Sequence, residues 1–242
     1  MWSHSPDACW PRPNLAIRND GELAQPQRDH YQRSRRKLSR CRLSQNSKDP
    51  IGAHLALSLK ALEHATQDKA LLAAARKTAE VIIEALRAGN KLLIIGNGGS
   101  AADAQHIAAE IVGRYKADRP ACAAVALTTD TSALTAIAND YGFEQVFARQ
   151  VAGLGRRGDI LLALSTSGRS PNILAALTTA HEHGLVTVGF TGSKGEALGA
   201  LCDHLLVAPS DDTPVIQQIH LALAHGICDA VEQALMREAA RK

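Results

Sequence analysis

The sequence predicts an α/β fold with a parallel sheet, and three observations predict it. Short unbroken apolar runs alternate along the chain with longer segments of helical period, the pattern of strands covered on both faces by helices. Two of those runs end in loops rich in glycine and hydroxyl residues that lead into helices. Aromatic residues are only 3% of the chain, which argues against a sandwich or barrel packed on Tyr, Phe and Trp.

The elements follow in order from residue 50. Residues 50–65 carry Ile51, Leu55, Leu57, Leu59 and Leu62 and read as a helix. Residues 68–88 read as a second, with Leu71, Leu72, Ala75, Ala79, Ile82, Ile83 and Leu86 at helical spacing and Gly89-Asn90 as its stop. The run 91–95 is the first strand, and a helix follows over 100–114. Residues 122–127 are the second strand, with helices expected over 131–139 and 143–152 and Asp130 capping the first of them. The third strand is 159–164, followed by a helix over 171–183 that Gly184 closes. The fourth strand is 185–190, a short helix covers 196–201, and the fifth strand is 204–208. A long final helix spans 213–237, with Val215, Ile216, Ile219, Leu221, Leu223, Ile227, Val231 and Leu235 along it. The two leading helices and this last one are expected to cover the sheet.

The charge is divided unevenly. The whole chain carries a formal +3. Residues 1–48 hold ten Lys/Arg against four acids, a net +6, which leaves 17 against 20 and a net −3 for the remainder. The first 48 residues also collect Pro, Asn, Gln and Ser with little apolar periodicity, and read as a disordered basic extension; residues 49–242 form the globular domain. The run Arg33-Ser-Arg-Arg-Lys37 lacks aromatic interleaving or a binding motif, so a solvated tail is favoured over a nucleic-acid arm. Five widely spread cysteines form no CxxC pair, which fits reduced thiols in a cytoplasmic protein. No secretory signal and no apolar run long enough to span a bilayer is visible, so no membrane role is expected.

Ligands of such sheets bind beyond the carboxyl ends of the strands. The loop Gly96-Asn97-Gly98-Gly99-Ser100 leaves the first strand. Its glycines admit positive φ and close backbone approach, the following helix start offers free N–H groups, and Ser100 can cap that helix or bind a ligand. The loop Ser165-Thr166-Ser167-Gly168-Arg169-Ser170 leaves the third strand and enters a helix that begins at Pro171. Hydroxyls with backbone N–H groups suit a phosphomonoester. No Walker loop and no acid suited to an NAD ribose accompany them, so nucleotide and redox cofactors are not expected.

His106 and Glu110 stand at i, i+4 on one helix face below the glycine loop, and the final helix carries Gln217, His220 and His225. An imidazole and a carboxylate in one pocket can act as acid and base, and two His, a Glu and a Gln can equally hold Zn²⁺. A surface ion pair and ordinary helix residues are the plain alternatives. Asn139-Asp140 can reach sugar hydroxyls or simply cap a helix, the second being the default.

Residues 96–110 and 164–170, with 138–143 and 212–220, resemble the sugar isomerase (SIS) domain family. The resemblance covers roughly residues 50–237. It implies a three-layer α-β-α sandwich around a five-stranded parallel sheet, and a homotetramer with sites at subunit interfaces. It implies interconversion of D-sedoheptulose 7-phosphate and D-glycero-D-manno-heptose 7-phosphate, the first step of nucleotide-activated heptose synthesis, through an enediol. By the same resemblance Glu110 is the base and His225 the acid. Asn97, Gly98, Gly99, Ser100, Asn139, Asp140, Ser165, Thr166, Ser167, Ser170 and Gln217, with Glu110, bind substrate. The positions of His106, Glu110, Gln217 and His225 bind zinc in some members. Arg169, Gln218 and Val215 depart from residues common in the family. Two alternatives stay open on the sequence. One is a non-catalytic SIS protein that binds the replication initiator DnaA, which lacks the acid/base pair kept here. The other is an isomerase of a different sugar phosphate.

Overall fold

A computed structural model describes residues 49–239. The chain divides into Met1–Pro50 and Ile51–Lys242, and the fold described is that of the second unit. The expectation of a disordered extension over 1–48 lies outside the described residues.

Helices α1 (Pro50–Gln67) and α2 (Lys69–Arg87) lead into β1 (Leu92–Gly96), α3 (Gly99–Val112) and β2 (Ala124–Ala126). Then come α4 (Thr131–Tyr141), a 3₁₀ turn (Phe143–Gln145), α5 (Ala148–Leu154), β3 (Ile160–Leu164) and α6 (Pro171–Glu182). β4 (Val186–Gly192), a second 3₁₀ segment (Glu196–Leu201), β5 (His204–Ala208) and α7 (Thr213–Ala239) complete the unit. The five strands form one parallel sheet in the order β2-β1-β3-β4-β5.

The three layers follow from the two-residue period of the strands. Leu92 and Ile94 of β1, Leu162 of β3, and Val188 and Phe190 of β4 point to one face, where Ile82 of α2, Ile107 and Ile111 of α3, and Ile219, Ile227 and Val231 of α7 meet them. Leu93, Ile95, Leu161 and Ala163 point to the other face, against Val146, Phe147, Val151, Ile173 and Leu177. β1 and β3 are buried along their whole length, which is why their sequences are continuous apolar runs.

Four local expectations are corrected. The single helix expected over 143–152 is broken into the 3₁₀ turn and α5. Val146 and Phe147 enter the core at the break, and the buried Gln150 amide donates to the Leu127 and Val146 carbonyls, so burial overrides helical continuity. The second strand, expected over 122–127, shrinks to three residues at the sheet edge. Asn139-Asp140 does not cap a helix: both lie inside α4, which Gly142 ends at a φ of 87°. Ser100 is not an N-cap; Gly98 holds that position at φ 58°, and Ser100 is buried in the first turn. Asp130 does cap α4, accepting from the Ala133 amide at 2.9 Å.

His220 of α7 is fully buried with its ring edge-on to Phe190. Its Nε2–H donates to the Thr191 carbonyl at 3.1 Å, while Nδ1 has no partner among the described residues. Burial pulls its pKa down from 6.5 to about 4, against the hydrogen bond to Thr191. Between those values the unfolded chain binds a proton that the folded chain refuses. The contribution to stability, of order 3 kcal/mol, is therefore complete above pH 6.5 and lost as the pH falls toward 4. Thermal melts across that range are expected to fall more steeply for the wild type than for His220→Leu; equal slopes would contradict this.

Candidate active site

β1 and β3 are neighbours, and the helices that follow them, α3 and α6, pack on opposite faces. Their carboxyl ends therefore open a crevice where the chain reverses its winding, the usual ligand position of such sheets. Both loops singled out in the sequence border it. They are tied together by an amide pair that the sequence does not reveal. Asn97 Nδ2 donates to Asn172 Oδ1, and Asn172 Nδ2 donates to Asn97 Oδ1, both at 2.9 Å. Asn172 is buried at the start of α6, where a polar residue after Ser-Pro reads as ordinary helix filling. Asn97 therefore joins the two loops.

The serine loop is folded tightly. Ser165 is buried, and its hydroxyl lies 3.5 Å from that of Ser170. Ser167 Oγ accepts from the Arg169 amide at 3.3 Å, and the Gly192 amide donates to the Thr166 carbonyl. Gly168 takes φ 63°, and a Cβ there would lie 2.6 Å from the Gly195 carbonyl oxygen. The Arg169 guanidinium donates to the Lys194 carbonyl at 3.3 Å.

The glycine loop and α7 meet at Gly99, where a Cβ would stand 2.5 Å from Gln217 Nε2. Gln217 thus lies at the loop end of the site. His225 is eight residues further along α7, about 12 Å at 1.5 Å per residue. There it faces α3. His106 Nε2 lies 2.9 Å from His225 Nε2 and 3.2 Å from Glu110 Oε1. The ligand atoms of His106, Glu110 and His225 all lie within 4.8 Å of one another. Two imidazole nitrogens and a carboxylate are the donor set of zinc sites that keep one position open, so these residues fit such an ion. Asp103, one turn before His106, is a further residue the sequence does not single out. Burial pushes its carboxyl above the usual range against the pull of His106, and one of its oxygens is buried without a partner among the described residues. Asn139 and Asp140 lie on α4 and bond each other at 2.7 Å.

The family model for the SIS domain matches residues 56–192. The chain belongs to the SIS domain family. Within it, the chain is 71% identical over 189 residues to a phosphoheptose isomerase of Bradyrhizobium sp. (strain ORS 278), covering 78% of this chain and 96% of that one. It is 56% identical over 168 residues to the phosphoheptose isomerase of Burkholderia pseudomallei (strain K96243), covering 69% and 85%. The solved structure of phosphoheptose isomerase GmhA from Neisseria gonorrhoeae superposes with a TM-score of 0.71 at 45% identity, covering 76% and 97%. The SIS-domain relatives at high identity thus point to heptose phosphates, and neither the DnaA-binding alternative nor a different sugar phosphate is favoured.

Proposed function

We propose that this SIS-domain enzyme interconverts D-sedoheptulose 7-phosphate and D-glycero-D-manno-heptose 7-phosphate, with Glu110 as the base and His225 as the acid. The single observation that carries the residue roles is the convergence of Glu110 and His225, with His106 between them, below two phosphate-suited loops. The function itself rests on the phosphoheptose isomerases among its relatives.

The chemistry moves a carbonyl between C2 and C1. A proton leaves the carbon next to the carbonyl and returns to its neighbour, through an enediol. Glu110 is the group that takes and returns it, and His225 serves the oxygens. The Gly98 and Gly99 amides and the hydroxyls of Ser100, Ser165, Thr166, Ser167 and Ser170 are the proposed phosphate and sugar contacts, and supply binding energy remote from the reacting carbons. Asn97 holds the two loops in register. Gln217, Asn139 and Asp140 are proposed sugar contacts.

We propose Zn²⁺ at His106, Glu110 and His225, with Gln217 as fourth ligand if its carboxamide swings from Gly99. Zn²⁺ bound there would polarise the sugar oxygens. We also propose a homotetramer whose subunits complete one another's sites. Exposed Leu55 and Leu59 on α1, and Tyr141 and Phe143 beside Asn139 and Asp140, support an interface. Light scattering on the purified chain reads the mass directly. A cytoplasmic location is proposed as well. It is supported by the free cysteines Cys122, Cys202 and Cys228 among the described residues, where no helix is long and apolar enough to cross a membrane.

The test follows sedoheptulose 7-phosphate by NMR with metal-stripped protein, with and without added Zn²⁺. Turnover in both arms supports the isomerase with zinc as an accessory; turnover only with zinc supports a required ion; none in either contradicts the function. A chain lacking residues 1–48 is expected to turn over as the full chain does, because the SIS match begins at residue 56. Loss of activity would give the extension a role.

A further inference from the structure

Glu110 and His225 stand on different helices, so their separation depends on what fixes the end of α3 against α7. α3 ends at Val112, and its last carbonyls have no partners within the helix. The Arg119 guanidinium supplies them: its terminal nitrogen donates to the carbonyl of Glu110 itself at 2.9 Å and to that of Ile111 at 3.0 Å. The same guanidinium faces a carboxylate of α7, with Arg119 Nε 3.4 Å from Glu232 Oε2. Both side chains are 3% exposed.

Glu232 lies seven residues beyond His225, two turns along the same side of α7. Its carboxylate accepts three successive backbone N–H groups, from Tyr115 at 2.8 Å, Lys116 at 2.9 Å and Ala117 at 2.8 Å. Burial opposes its ionisation, but those bonds and the Arg119 charge outweigh it and hold the carboxyl below its usual range. The clamp aims Tyr115 at the site: its ring centre lies 5.6 Å from that of His225, at an interplanar angle of 34°. The Lys116 ammonium lies 4.7 Å from the same Tyr115 ring and 3.5 Å from Asp229.

We infer that the buried Arg119–Glu232 pair, with the Tyr115 it holds in place, is the positioning element that sets His225 against Glu110. The three backbone bonds of Glu232 fix the segment that carries Tyr115 against His225, and its partner Arg119 holds the carbonyl of Glu110, so one buried pair connects both groups. Arg119, Glu232 and Tyr115 touch no reacting atom; they act through Glu110 and His225. The inference rests on the proposed roles of those two residues.

The test compares Glu232→Gln, Arg119→Lys, Tyr115→Ala and Tyr115→Phe with the wild type and with Glu110→Gln. Glu232→Gln and Arg119→Lys are expected to lower kcat about tenfold or more while KM stays within about twofold. Tyr115→Ala is expected to do the same, and Tyr115→Phe, which keeps the ring, to recover most of the loss. The His225 imidazole ¹⁵N resonances are expected to shift in Glu232→Gln and in Tyr115→Ala. If Glu232→Gln fails to fold, the Tyr115 pair decides. Full kcat and unmoved His225 resonances in Tyr115→Ala would overturn the inference, as would equal loss in Tyr115→Ala and Tyr115→Phe. If Glu110→Gln keeps full kcat, the proposed acid–base roles fall; if it loses activity and the positioning variants do not, this inference alone falls.

Discussion

Glu110→Gln is expected to lower kcat by about 10²–10⁴-fold, the range that a positioned base contributes to proton transfer. The substitution keeps shape and volume but cannot take a proton. Its effect on the fold is expected to be small. Glu110 is half-buried, and its side-chain partner His106 is an i, i+4 neighbour 3.2 Å away. Such a pair is worth about 0.2–0.5 kcal/mol at most, so the melting temperature is expected to stay close to the wild type. Steady-state kinetics beside a thermal melt separates the two effects. A variant that melts normally and turns over normally would remove Glu110 from the chemistry.

The second large effect is on the glycine loop. A Cβ at Gly96 would lie 2.4 Å from the Ser100 carbonyl oxygen and 2.7 Å from its carbonyl carbon. Both are backbone atoms at the start of α3, and no flexible side chain can move aside. Gly96 is also the last residue of β1, paired with Leu164 of β3 at the centre of the sheet. Gly96→Ala must therefore displace the Gly98–Ser100 turn or the strand end. The expected cost is about 1–3 kcal/mol of stability, with a melting temperature lower by roughly 2–4 °C for each kcal/mol. Affinity for the sugar phosphate is expected to fall with it, because the displaced amides are those proposed to hold the phosphate. Gly98→Ala is the useful contrast. Its Cβ would meet nothing within 4 Å among the described residues, so only its positive φ is strained. Binding isotherms for inorganic phosphate compare the two; binding by Gly96→Ala as strong as that of the wild type, or stronger, would contradict the role of this loop.

The central layers are legible in the sequence because their physics is local. Strands buried on both faces must be continuous apolar runs, as Leu92–Gly96 and Ile160–Leu164 are. The spacing of His106 and Glu110 on one helix likewise gives their shared face, and the contact observed between them follows from it. What cannot be read is tertiary. The approach of His225 to His106 spans 119 residues, and no local period encodes it. Asn172 and Glu232 look like ordinary polar helix residues, since their roles appear only when Asn97 and the Tyr115–Ala117 backbone arrive from elsewhere. The break between the 3₁₀ turn and α5 is hidden for the same reason: Val146 and Phe147 suit a helix locally, and the core claims them instead. Ser100 illustrates the opposite error. Its residue type suits a cap, but the positive φ at Gly98 starts the helix earlier.

The most direct test of the enediol path is the fate of the transferred hydrogen. The conversion of sedoheptulose 7-phosphate would be run in D₂O and the aldose product read by ¹H and ²H NMR. A carboxylate that takes the proton from C1 can exchange it with solvent before returning it to C2. The account predicts deuterium at C2 of the aldose in the wild type, and loss of both turnover and exchange in Glu110→Gln. Protium carried intact from C1 to C2, with turnover kept in Glu110→Gln, would contradict it.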